Sequence, residues 1–194
     1  MSYIITQRPH PGPLLKTEVF KPRHLKTKQA AELFKATPNH LYMIIGRKAD
    51  LSLQMCHRME IVLGEDAEKW ATRQLQYDLD KAAGGARKVD SDYFVPKNLP
   101  RIHPGKDLRN KILNPRELTA EKTGDLLECS SYNVYSMIAG QCSLTLETCL
   151  KLEKLFGENA EYWAIRQMRY DLDRKRPEVE AENLQRWKPR QGPK

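Results

Sequence analysis

Leu118-Thr119-Ala120-Glu121-Lys122-Thr123-Gly124-Asp125-Leu126-Leu127-Glu128-Cys129-Ser130-Ser131-Tyr132-Asn133-Val134-Tyr135-Ser136-Met137-Ile138-Ala139-Gly140 is the stretch that decides the fold. Thr119 and the pair Ser130-Ser131 each offer a hydroxyl that accepts from the free N–H groups of a starting helix, so two short helices are expected in close succession. Gly124 is small where those helices must approach across a tight turn, and Val134 points back into a core. The spacing is that of a helix-turn-helix. An equivalent stretch lies upstream, with Ala31 in place of the glycine, Thr37-Pro38 as the second start signal and Leu41 in place of Val134.

The correspondence extends well beyond that motif. His10-Pro11-Gly12 recurs as His103-Pro104-Gly105 and Tyr77-Asp78-Leu79-Asp80 as Tyr170-Asp171-Leu172-Asp173, both at an offset of 93. Aligned without a gap, residues 10–80 and 103–173 share 26 identities in 71 positions, so two copies of one small helical domain are expected. Each copy reads as five helices. The first follows His-Pro-Gly, roughly 13–20, and the second runs from Thr27 or Thr119 to Phe34 or Leu127. The third covers about 38–46 or 131–139, and the fourth is capped by Ser52 or Thr145 and ends at Gly64 or Gly157. The fifth begins near Asp66 or Asn159 and carries the Tyr-Asp-Leu-Asp end.

These signals predict an all-α chain: a first helix-turn-helix domain over 1–83, a flexible Gly- and Pro-punctuated linker over 84–100, a second domain over 101–176, and a mobile basic tail over 177–194. A short helix before Trp187 is the weaker alternative for the tail. Strand signals are confined to Tyr3-Ile4-Ile5 and Tyr93-Phe94-Val95.

A length of 194 residues with 40% hydrophobic and 30% charged residues suits small soluble domains. Nothing approaches the roughly 18 consecutive apolar residues of a spanning helix, and the N-terminus lacks the pattern of a signal peptide, so a cytoplasmic location without membrane contact is expected. Cys56, Cys129, Cys142 and Cys149 lack metal or redox spacing, and the five histidines are scattered. With no phosphate loop or nucleophile elbow either, neither an enzyme nor a cofactor or metal site is expected.

The net charge of +8 invites a polyanionic partner. It is uneven: residues 1–80 carry a net +3, 101–173 a net −1 and 174–194 a net +4.

The helix-turn-helix spacing resembles that of phage-repressor-like (lambda-repressor-like) domains. Together with the His-Pro-Gly start and the Trp-x-x-x-Gln-x-x-Tyr-Asp-Leu pattern from Trp70 and Trp163, it resembles the HigA-type antitoxin family, DNA-binding partners of a toxin. The family usually has glycine where Lys35 and Glu128 stand, and Asn-Gly where this chain has Gly46-Arg47 and Ala139-Gly140. The resemblance implies that helix three enters the major groove with its N-terminal residues at base edges, while helix two meets the backbone. In the first copy it points to Thr37, Pro38, Asn39, His40, Tyr42 and Met43, flanked by Arg47 and Lys48. In the second it points to Ser130, Ser131, Tyr132, Asn133, Tyr135 and Ser136, with Gln141 beyond. Against this stands the plainer reading of polar residues on a short helix as solvated surface. Trp70, Gln74, Tyr77 and their counterparts read as packing, Cys56 and Cys149 as small buried hydrophobes, and His57 as a neutral, partly buried side chain.

The resulting expectation is a sequence-specific regulator of double-stranded DNA, a repressor in which one chain supplies two recognition helices, acting as a monomeric pseudo-dimer or a homodimer. The alternative is an antitoxin that masks a toxin protein and binds DNA secondarily. A third possibility makes one copy, the near-neutral second, a protein-interaction or dimerisation module.

Overall fold

His10 opens the first helix by accepting the Gly12 N–H on its side-chain Nδ1 at 3.0 Å, so helical structure begins at Pro11, two residues earlier than the Pro13 signal implies. Pro11 tolerates that position because an N–H there would lack a partner in any case. The computed structural model describes residues 2–5, 7–85, 87–90 and 101–188. Helix one is composite: α1 (Pro11–Leu14) passes into a π-helical segment, Leu15–Phe20, and a 3₁₀ turn, Lys21–Arg23, that ends with His24 at φ 50°. It is followed by α2 (Thr27–Leu33), α3 (Pro38–Ile45), α4 (Leu53–Leu63), α5 (Ala67–Ala82) and strand β2 (Arg87–Asp90). The series then recurs as α6 (Gly105–Asp107), a π-helical Leu108–Leu113, a 3₁₀ Asn114–Arg116, α7 (Ala120–Leu127), α8 (Ser131–Ile138), α9 (Leu146–Phe156) and α10 (Ala160–Glu180).

Five helical elements per repeat are legible in the sequence; the strands are barely so. β1 (Ser2–Ile5) pairs antiparallel with β2, with Tyr3 opposite Val89. The Tyr3-Ile4-Ile5 signal therefore marks a strand, and 87–90 of the segment read as flexible linker is its partner. Tyr93-Phe94-Val95 falls outside the described residues.

Buried apolar residues recur at the repeat offset. Leu15 and Leu108, Phe20 and Leu113, Phe34 and Leu127, Leu41 and Val134, Ile44 and Met137, Cys56 and Cys149, and Trp70 and Trp163 are all buried. Burial pushes the Cys149 thiol up to about 12 and raises that of Cys56 as well, as befits thiols serving as small hydrophobes. Arg23 and Arg116 explain another pair of identities. Each turns its guanidinium onto the last carbonyls of the fourth helix, Leu63 and Phe156, and onto Glu65 or Glu158.

The chain forms two compact units that do not follow the expected boundaries. One comprises Pro9–Tyr77 with Asp171–Lys194, the other Met1–Arg8 with Asp78–Tyr170. In the second unit, the Arg8 guanidinium makes two bonds of 2.7 and 2.8 Å to the buried Asp80 carboxylate and meets both oxygens of Glu161 at 3.0 Å.

In the first unit, the segment expected to be a mobile tail is built in through residue 188. Helix α10 continues past Pro177 to Glu180, the fork of Arg58 grips Glu182 at 2.8 and 2.9 Å, and the Trp187 N–H bonds the Val62 carbonyl at 2.8 Å. His57 is fully buried, with Nε2 2.6 Å from the Leu172 carbonyl, and so holds the stretch of α10 that leads into this segment. Among the described residues no helix is long and apolar enough to cross a membrane.

Glu128 sits at φ 55°, closing α7 in a left-handed conformation that costs a residue with a Cβ about 1–2 kcal/mol, and its side chain is exposed. Glu128→Gly should raise stability by up to about 1 kcal/mol, a gain of roughly 2–4 °C in the melting temperature. Thermal unfolding followed by circular dichroism checks this; an unchanged or lower melting temperature refutes the strain.

Candidate nucleic-acid interface

Each turn between the paired helices is closed by backbone geometry. The Ala36 N–H reaches the Ala31 carbonyl at 2.9 Å and the Cys129 N–H reaches the Gly124 carbonyl at 2.9 Å, with Lys35 (φ 49°) and Glu128 in the left-handed position between. A Cβ on Gly124 would stand 2.7 Å from the Cys129 carbonyl oxygen, which explains the small residue there. Thr37 and Ser130 then cap the next helix, their hydroxyls accepting the His40 and Asn133 N–H groups at 3.2 Å. These two candidate site residues therefore have a structural duty of their own.

The C-terminal ends of α3 and α8 are fixed just as tightly. Gly12 lies so close that a Cβ would stand 1.8 Å from the Ile44 carbonyl oxygen, and one on Gly105 would stand 2.0 Å from that of Met137. The rings of His10 and His103 meet Tyr77 and Tyr170 edge-on, at centroid separations of 4.8 and 5.1 Å. Gln74 and Gln167 accept the Leu51 and Leu144 N–H groups in the loop beyond, at 2.9 and 3.1 Å. The Gln and Tyr of the Trp-x-x-x-Gln-x-x-Tyr pattern thus clamp each repeat around its helix-turn-helix, and both tryptophans are buried, consistent with the reading of the pattern as packing.

On α3 the structure places Pro38, Asn39, His40 and Tyr42 outward, Met43 half-buried, and Arg47 and Lys48 exposed just beyond the helix. On α8 it places Tyr132, Asn133 and Tyr135 outward, Ser131 half-buried, and Gln141 exposed beyond. Ser136 is a correction: it is buried, because the position corresponding to Met43 turns inward here, so its hydroxyl is not presented to a ligand.

Arg47 occupies a left-handed backbone position at φ 61° where the second repeat has Gly140 at φ 73°. The strained position keeps an exposed cation beside α3.

The two faces differ in electrostatics. Residues 24–50 hold five Lys or Arg against two acids, whereas 117–143 hold one Lys against four acids. Lys26, Lys28, Lys35, Arg47 and Lys48 are exposed around α2 and α3; Glu121, Asp125 and Glu128 are exposed along α7. Whole-domain charge hints at this contrast without locating it on the helix-turn-helix.

No family model matches the chain. A solved structure of an addiction module antidote protein of a HigA family from Coxiella burnetii is similar at 26% identity and a TM-score of 0.39, spanning 46% of this chain and all of that one. Virulence-associated protein I of Dichelobacter nodosus is 31% identical over 86 residues, which are 44% of this chain and 80% of that protein. Through this identity, carried over four fifths of the relative's length, the chain belongs to the family of virulence-associated protein I.

Proposed function

We propose that the chain is a sequence-specific regulator of double-stranded DNA, a repressor that occupies a promoter, and that α3 is its principal reading helix. The observation that carries this reading is the α3 face: Asn39, His40 and Tyr42 stand outward at a capped helix N-terminus, with Arg47 and Lys48 beside them in a net-positive surround. The Asn39 amide offers the donor–acceptor pair that matches adenine in the major groove, while Arg47 and Lys48 suit phosphates.

The tandem arrangement of two helix-turn-helix repeats in one chain supports a pseudo-dimeric reader, but the two repeats contribute unequally. An acidic surround repels phosphate, so α8 adds little to DNA affinity. That same acidic, aromatic face favours the second reading, in which the chain also engages a protein partner, as an antitoxin does.

Two measurements on the full chain test the proposal. Asn39→Ala should relax preference at one base position at a cost of about 1–3 kcal/mol on the preferred site, with nonspecific affinity little changed; a uniform loss over all sequences would reassign Asn39 to the backbone. In fluorescence-anisotropy titrations over a salt series, Arg47→Ala with Lys48→Ala should flatten the slope of log K against log salt by about 0.9 for each phosphate that is no longer neutralised. Tyr132→Ala with Asn133→Ala should leave both affinity and slope nearly unchanged. If the α8 pair weakened binding as much as the α3 changes, the unequal division would be wrong.

A further inference from the structure

The α7–α8 face carries exposed apolar surface that the DNA reading does not use. Tyr132 is 73% exposed, Tyr135 56% and Leu126 42%, a cluster that on a soluble domain marks a contact surface. The Tyr135 hydroxyl donates to the Glu121 carboxylate at 3.4 Å, so the aromatic and acidic groups share one face. Lys151 offsets part of the charge by meeting Glu128 and Glu147 at 2.9 and 3.0 Å, while Glu121 and Asp125 stay exposed on α7.

The surface of opposite sign and related shape is on the same chain. The α2–α3 face is built on the same backbone plan, exposes Tyr42 at 50%, and has Lys28 where α7 has Glu121 and Lys35 where it has Glu128. We propose that the α7–α8 face is a docking surface whose occupant is the basic α2–α3 face of a second copy of this chain, held by charge complementarity around a tyrosine-rich centre. Because the two patches differ, the contact is heterologous, and further copies can add to each free end. The occupant's own α2–α3 face, the one assigned to DNA, is covered in every copy except the one whose basic face ends the chain of contacts, so at each docked face self-association and DNA binding compete, and a copy is released to read DNA as its contact opens.

Sedimentation velocity on the full chain at about 50 and 500 mM salt tests this, since such contacts are screened within about 10 Å at 0.1 M and within about 4–5 Å at the higher salt. The expected result is mass that grows with concentration above the 22.5 kDa chain at low salt and returns to it at high salt. Glu121→Lys with Asp125→Lys makes both faces basic, and Lys28→Glu with Lys48→Glu makes both acidic. Each double variant alone should stay monomeric, and an equimolar mixture of the two should associate again, a rescue that a merely misfolded variant cannot give. A single 22.5 kDa species at every salt and concentration, or association that ignores both reversals, overturns the proposal. A duplex of about 20 base pairs, two helical turns, should dissolve the wild-type oligomers. Oligomers that keep their size with one duplex bound per chain would place the occupant elsewhere, whereas a failure of the duplex to bind at all in a separate anisotropy titration counts against the DNA reading and leaves the salt and mixing results to decide the docking.

Discussion

The absence of a side chain at Gly12 and Gly105 is the constraint from which the remainder follows. With only hydrogen at those positions, the first turn of each repeat presses onto the last carbonyls of α3 and α8, and any Cβ would occupy the space of an oxygen atom. The histidine two residues earlier folds its ring back to accept the glycine N–H and meets the tyrosine of the last helix. Three distant stretches, His-Pro-Gly, the helix-turn-helix and Trp-x-x-x-Gln-x-x-Tyr, therefore form one mechanical assembly. A helix of eight residues such as α3 is too short to be stable alone, and here its ends are set by its neighbours.

That rigidity lets the two exposed faces diverge. Substitutions on the outward side of α2, α3, α7 and α8 change charge and aromatic content without touching the clamp, which is why the buried residues pair so regularly at the repeat offset while the outward ones do not. Left-handed residues mark where the chain accepts local strain: among the described residues His24, Lys35, Arg47, Glu117, Glu128 and Asn183 all carry side chains where glycine would be free of cost. Lys35 and Arg47 are cations on the basic face.

Much of the architecture can be read from residue spacing. The capping hydroxyls locate α3, α4, α8 and α9, and the repeated Trp, Gln and Tyr announce a packed face, because those signals are local or periodic. Inward rotation of Ser136 is not legible, since a serine on a short helix carries no hydrophobic mark of its burial. The fate of the last segment is hidden for a different reason. Its composition is polar, and what holds it and the stretch of α10 leading into it is a set of long-range bonds, Arg58 to Glu182, Trp187 to Val62 and His57 to Leu172, between residues that have no reason in sequence to be paired. Left-handed positions at Lys35 and Glu128 are visible only as departures from the glycine of the resembling family.

The reciprocal make-up of the compact units bears on how the chain is born. The unit that contains Pro9–Tyr77 also needs Asp171–Lys194, and Asp171 is made 94 residues after Tyr77. At about 5–20 residues per second, the ribosome takes roughly 5–20 s to deliver the missing piece, far longer than the time in which small helical bundles fold. The nascent first repeat therefore waits in an incomplete state, with the site for the closing segment open, until that segment has been made. Folding of the first unit is coupled in this way to synthesis of the second repeat, so a product terminated before Asp171 leaves that unit without its last piece.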